Sequence, residues 1–191
     1  MQDAARRNAL VRAAARGDRA AFEVLFREFL PRIYNFIAHT VADRAEAEDL
    51  AQRTFIKAWE SLPRLKRPEA FTVWLHQIAR NLLRDVARQP RAPLVQRQGS
   101  SMEEGELSVP EARADGLPER AAIGRERDGA IQRAIASLPA HHSEVVVLHH
   151  LNGMPVEDIA DVLGVPVGTV LSRLARARES IRRQLHWMVE E

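Results

Sequence analysis

The chain has 191 residues, 46% of them hydrophobic, with 28 lysines and arginines against 26 aspartates and glutamates and a formal charge of +2. That supplies apolar material for one domain or two small ones, and the near-balanced charge excludes a histone-like polycation. Cysteine is absent and no run of 18 apolar residues occurs, which excludes disulfides and thiolate metal sites, predicts no membrane span and fits a reducing, cytoplasmic setting.

Taken from the amino terminus, MQDAARRNALVRAAARGD lacks the apolar core of a signal peptide and is itself amphipathic. Helices are expected over residues 3–15, 18–40, 43–62 and 68–88, punctuated by Gly17-Asp18, the Val41–Asp43 break and the Pro63–Pro68 loop. Pro31 removes an N–H inside the second helix and is expected to kink or split it. The third helix buries Ala51, Phe55, Ala58, Trp59 and Leu62, and its other side shows Asp49, Gln52, Arg53 and Glu60 around an isolated Ile56. An aliphatic group ringed by polar ones has the form of a protein–protein anchor with a wet rim. A lone exposed apolar residue is the plainer alternative.

The fourth helix, FTVWLHQIARNLLRDVAR, places Phe71, Leu75, Ile78, Leu82 and Val86 on a buried arc. Trp74, Gln77, Arg80, Asn81, Arg84 and Arg88 form the opposite arc, and the preceding loop adds Arg64, Lys66 and Arg67. An indole bordering guanidinium and amide groups suits a single strand of nucleic acid, with cations on phosphates and a ring or amide on an exposed base. The alternative is a Trp74 packed at the domain edge beside solvated arginines.

Residues 89–119 hold four prolines, three glycines and few large apolar groups, with an acidic middle. Such a stretch cannot bury enough surface to offset its ordering entropy and reads as a flexible linker. Helices resume at about 119–137, 140–151, 155–163 and 167–187. The one β-branched cluster, Val145 to Val147, sits inside a helical pattern, so the fold class is all-α. Two small helical domains are expected, 1–88 and 119–191, joined by a linker over 89–118.

The carboxy-terminal GMPVEDIADVLGVPVGTVLSRLARARESIRRQL carries the sharpest signal. Pro155 suits the start of a short helix and Gly164 its left-handed end. In the next helix Val167, Val170, Leu174, Ala177, Ile181 and Leu185 share one arc, while Thr169, Ser172, Arg173, Arg176 and Arg183 gather opposite. Only 2 of the 28 basic residues are lysine, so arginine abundance by itself reflects a general bias; placement is what informs. Residues 170–185 hold five arginines and one acid, whereas residues 100–120 hold six acids and two arginines. Two helices joined by a tight turn, the second apolar inside and cationic outside, form the helix-turn-helix that fills a major groove.

Two other readings stay open on residues alone. A stand-alone helix-turn-helix repressor accounts for the carboxy-terminal half. His141, His142, His149 and His150 could instead serve a metal sensor, since His142 and His149 lie two turns apart on one helix face. No nucleophile–base pair, glycine-rich phosphate loop or carboxylate cluster has a persuasive spacing, so no catalytic residue, cofactor or small-molecule substrate is expected.

AEDLAQRTFIKAW, then FTVWLHQIARNLLRD, then LPAHHSEVVVLHHLNGMPVEDIADVLGVPVGTVLSRLARAR together closely resemble bacterial RNA polymerase sigma factors of the extracytoplasmic-function subgroup. The resemblance covers nearly the whole chain apart from the linker. It implies two helical domains that bind core polymerase and place it on promoter DNA, the first on the −10 element and the second on the −35 element. On that basis Asp49, Gln52, Arg53 and Ile56 face the polymerase. Asn81, with the loop from Arg64 through Lys66 and Arg67 to Phe71, captures a flipped base, flanked by Trp74 and Gln77. Arg80, Arg84 and Arg88 sit on nearby phosphates, and Thr169, Ser172, Arg173 and Arg176 enter the major groove. An anti-sigma partner is also implied, as is a cytoplasmic bacterial location, held at the membrane through that partner if at all and without direct membrane insertion. The chain departs from the family pattern at Arg53, usually acidic, at Leu171, frequently lysine, and near His142 and His149, where arginine is more usual.

Overall fold

Caps and apolar stripes set the elements of the computed structural model, which describes residues 2–41, 43–88 and 129–185. The first helix, α1, spans Gln2–Ala15 and buries Val11 and Ala14. Helix α2 spans Arg19–Ala38; Asp18 caps it by accepting from the Ala21 N–H at 3.1 Å, which satisfies one donor the helix cannot satisfy itself. Pro31 does not split this helix. Both Pro31 and Arg27, whose carbonyl loses its partner, are exposed, so that carbonyl is left on the solvent side and not in the core. Helix α3 spans Arg44–Ser61, capped by Asp43, which accepts from Ala45 N–H at 2.8 Å.

The loop expected between Pro63 and Pro68 is two short 3-10 turns, Leu62–Arg64 and Pro68–Ala70, each with proline near its start. Helix α4, Phe71–Arg88, therefore begins three residues later than its apolar pattern suggests. Phe29, Phe36, Phe71, Leu25, Leu50, Leu62, Leu75 and Leu82 are fully buried where α1 to α4 converge.

The expected linker, 89–118, lies outside the described residues, as do the first ten residues of the helix expected over 119–137. The described part of that helix, α5, covers 129–136. Helix α6, Ala140–Val146, loosens into a single π turn over Val147–Leu151, where Asn152 N–H reaches back five residues to the Val147 carbonyl at 2.9 Å. A π turn of this kind is uncommon and clusters at functional positions; nothing in the apolar pattern distinguishes it from α-helix. Helix α7, Val156–Leu163, ends at Gly164 in the left-handed region (φ 62°), and α8, Val167–Gln184, follows after a turn through Pro166. No strand occurs among the described residues.

The two halves pack on each other. Helix α4 lies on α7 and α2 on the π turn, so the apolar core runs without a break from Val11 through Leu148 and Ile159 to Leu174. Polar contacts seal this seam. Asn152 sits in it, almost fully buried, donating to the Arg32 carbonyl at 3.0 Å and toward His76 Nε2 at 3.3 Å. At its edge His39 Nε2 meets Gln132 Oε1 at 2.9 Å.

Candidate nucleic-acid and protein-docking interfaces

Three surfaces carry the residues that the sequence nominates. The first is on α3. Asp49, Gln52 and Arg53 are exposed, with Arg53 Nη1 3.3 Å from Asp49 Oδ2, and Ile56 is 57% exposed. Ile56 is not isolated. It borders a shallow groove of about 440 Å³ shared with Gln52, Phe22, Phe26, Phe55, Trp59 and Glu60. Phe26 stacks edge-on against Phe55 (4.7 Å), and Phe22 leans on Trp59 (4.9 Å). The sequence places Trp59 with the buried residues, but it is half-buried and forms the groove wall. Phe22 and Phe26 escape a reading confined to α3, because their i,i+4 pair belongs to α2. An aromatic recess with one aliphatic rim residue and a charged border has the anatomy of a protein-docking site.

The second surface combines α3, the Leu62–Arg64 turn and α4. Arg64 and Asn81, seventeen residues apart, line one recess of about 380 Å³ together with Lys57, Glu60, Ser61 and Ile78. Asn81 offers an amide that donates and accepts, Glu60 accepts only, and Lys57 and Arg64 donate only. That set can meet the edge of a nucleobase while the cations take its phosphate. Lys57 and Ser61 were not singled out and Glu60 was read only with the Ile56 patch, because the recess joins α3 to α4 and a reading along α3 alone does not pair them with Asn81. Lys66 and Arg67 on the loop that follows Arg64, and Arg84 and Arg88 further along α4, are exposed, with Arg67 Nε paired to Glu69 at 3.0 Å.

Phe71 follows the buried arc that its spacing predicts and departs from the base-contacting role that the resemblance implies. It is fully buried, edge-on to Phe29 at 5.2 Å, because the Pro68–Ala70 turn feeds it straight into the core as the first residue of α4. It anchors the loop from beneath and cannot touch a strand. Trp74 is half-buried against Phe71 at 5.9 Å.

Gln77 and Arg80 are engaged elsewhere. Gln77 Nε2 donates to the Asp161 carbonyl at 3.0 Å, and Arg80 Nη1 reaches the Val162 carbonyl at 3.4 Å, both at the C-terminal end of α7. Arg80 Nε also pairs with Glu144 Oε1 at 3.1 Å, the two side chains 14% and 19% exposed. A carboxylate and one carbonyl at the negative end of a helix give this guanidinium what a phosphate diester would give it. Beside them His76 is fully buried. Its Nδ1 donates to the Thr72 carbonyl at 2.8 Å, leaving Nε2 to accept from Asn152, and burial first, then the Arg32 charge, lowers its pKa from 6.5 to about 4.

The third surface is α8. Val170, Leu174 and Ala177 hold it on α6 and α7, and Thr169, Ser172, Arg173 and Arg176 line its outer side, with Ser172 Oγ bonded to the Thr169 carbonyl at 2.9 Å. Arg173 and Arg176 lower the His142 pKa, after burial and His141. His141 and His142 contact each other, as do His149 and His150, but no three His, Cys, Asp or Glu side chains gather for a metal among the described residues. No described helix is long and apolar enough to cross a membrane.

Comparison with known proteins follows the same division. Residues 25–92 match the family described as Sigma-70 region 2, and residues 128–181 match Sigma-70, region 4. The chain is 36% identical over 186 residues to the RNA polymerase sigma-H factor of Pseudomonas aeruginosa, covering 95% of each chain. It is 32% identical over 176 residues to the ECF RNA polymerase sigma factor SigW of Bacillus subtilis, covering 92% of this chain and 94% of that one. Among solved structures, the sigma factor RpoE in complex with the anti-sigma factor NepR from Bartonella quintana aligns with a TM-score of 0.63 at 25% identity, over 86% of this chain and 96% of that one. CnrH in complex with the cytosolic domain of CnrY shares the fold, with a TM-score of 0.67 at 24% identity over 95% and 97% of the two chains. A region 2 and a region 4 on one polypeptide define a sigma-70-type factor. The chain belongs to that family, in its extracytoplasmic-function (ECF) subgroup.

Proposed function

We propose that this chain is a promoter-directing transcription initiation factor, acting by binding and not by catalysis. It docks on core RNA polymerase through Asp49, Gln52, Arg53 and Ile56 and the aromatic groove beside them. The recess between Arg64 and Asn81 captures a base of the melted −10 strand, while Arg84 and Arg88, and Arg80 once free, follow the phosphates. Helix α8 reads the −35 element with Thr169, Ser172, Arg173 and Arg176. The functional division is a −10 domain over 1–88 and a −35 domain over 119–191. An anti-sigma protein restrains it in the cytoplasm, and no cofactor or small substrate takes part. The observation that carries this reading is the convergence of Arg64 and Asn81 on one base-sized recess, in the same chain as a helix-turn-helix and an apolar docking groove. DNA opening then follows from preferential capture: a site that holds only an unpaired base shifts the duplex–bubble equilibrium by its affinity for the open form. A stand-alone repressor leaves both the recess and the groove unused.

The experiment is in vitro transcription with core polymerase, followed by sequencing of the initiated RNAs. Addition of the protein is expected to concentrate starts on a few promoters; starts no more selective than with core alone overturn the reading.

The seam between the halves gives a restrained state. Gln77 and Arg80 belong to the proposed −10 surface yet are occupied by α6 and α7, so the closed arrangement and the strand compete for them. A probe-pair distance between α4 and α7 should lengthen on adding core polymerase; an unchanged distance would remove this competition from the scheme.

A further inference from the structure

The start of α8 carries a feature that its arginines do not explain. Val167 and Leu171 are 39% and 53% exposed, two of only six large apolar side chains so exposed among the described residues. They stand four residues apart and so sit one above the other on the helix surface. Gly168 lies beside them on the solvent side of the helix, and a Cβ built there meets nothing within 4 Å, so another backbone or a base edge can come close at this point. Ala175 continues the same flank one turn on. The side chains that hold α8 to α6 and α7 lie elsewhere on the helix, and the seam with the first half does not cover it.

We propose that Leu171, backed by Val167, reads the C5-methyl group of a thymine in the −35 element. The inference rests on the reading of α8 as a major-groove helix. Charge says what kind of partner covers this flank: residues 170–185 carry five arginines and one acid, and Arg173 and Arg176 stand across the ridge from Leu171. A surface so cationic selects a polyanion. Within a major groove, the distinctly apolar group a base presents is the thymine methyl, which lies toward the edge beside its own strand. A helix seated in the groove with Arg173 and Arg176 toward one strand turns Leu171 toward the other. A lysine at 171 would take a phosphate and carry no sequence information; leucine exchanges that contact for a methyl contact that carries it.

The test uses holoenzyme, with the full-length protein bound to core polymerase, on promoters selected from a library with a randomised upstream element. In the best promoter each thymine of that element is replaced singly by deoxyuridine, which removes only the methyl group. One such replacement is expected to weaken wild-type binding about three- to tenfold, while Leu171→Ala holoenzyme is indifferent to it, and Leu171→Lys should bind more tightly but tolerate any base there. Leu171 is solvent-exposed, so these variants keep the fold. Equal responses of wild type and Leu171→Ala to every deoxyuridine overturn the proposal, including the case in which Leu171→Ala instead loses binding to an anti-sigma protein. Arg176→Ala separates the underlying reading from the inference. If that variant still selects the same upstream element, α8 is not the reading helix at all; if it loses selection while the deoxyuridine result is flat, only the role of Leu171 falls.

Discussion

At the scale of single residues, His76 and Asn152 place a strict polar demand on the seam. His76 Nδ1 spends its proton on the Thr72 carbonyl, and Nε2 must stay bare to accept from Asn152. A second proton would point an N–H at an N–H inside the seam. With a folded-state pKa of about 4 against 6.5, the folded chain binds fewer protons than the unfolded chain between those values. Stability therefore rises with pH across that window, is fully present above about pH 6.5, and at pH 5 is lower by about 2 kcal/mol from this group alone. His142 and His150 are lowered too and add in the same direction. Thermal unfolding at pH 5 and pH 7.5 should show the wild type losing more stability on acidification than His76→Gln; equal losses would place the pH response elsewhere. In the base recess, Asn81→Ala and Arg64→Ala are each expected to reduce open-complex formation about tenfold, the scale of one base contact, with polymerase binding unchanged. Permanganate footprinting of the bubble reads this, and loss of core binding along with it would argue that the recess serves the polymerase and not the strand.

At the scale of elements, the chain announced itself unevenly. Helices came through because apolar spacing and caps are local: Asp18, Asp43 and Gly164 mark ends that a periodicity argument finds. The helix-turn-helix was readable for the same reason. The π turn was not, because Val147–Leu151 has the apolar content of the helix before it, and the segment packs on α2, a contact far away in sequence. Phe71 sits where its apolar spacing puts it and not in the base-holding loop that the resemblance implies, since one residue cannot serve both; burial decides. Phe22, Phe26 and Lys57 were missed because each joins its site across helices or from a neighbouring turn, and periodicity along one helix is blind to that. Two substitutions test the elements. Gly164→Ala meets no atom within 4 Å, so its cost is backbone strain at φ 62° alone. About 1 kcal/mol is expected, or roughly 2–4 °C in unfolding midpoint, and a drop several times larger would mean α7 and α8 depend on more than the turn. Ile56→Glu sets a charge on the rim of the aromatic groove. Core polymerase affinity should fall at least tenfold with the unfolding midpoint unchanged; retained affinity would move the docking site away from α3.

At the scale of the whole molecule, the two proposed DNA surfaces differ in availability. The outer side of α8 is open, whereas Arg80 and Gln77 on α4 are held by Glu144 and the end of α7. On the proposed assignment the closed chain presents its −35 side before its −10 side, and opening would be a competition between a protein-borne stand-in for phosphate and the real strand. The competition has a handle that touches neither DNA surface. Glu144→Gln keeps the shape of the side chain and removes the charge facing Arg80. Losing a charge-assisted bond in a half-buried pair weakens the closed state by about 2 kcal/mol, roughly thirtyfold in the closed-to-open ratio. Free Glu144→Gln protein should bind single-stranded DNA more tightly than wild type, and the two should converge once core polymerase holds both chains open. The comparison is internally controlled, because a general rise in positive charge would strengthen binding in both settings. If the variant gains nothing when free, Arg80 is already available to a strand, and the seam between α4 and α7 stabilises the chain without restraining it.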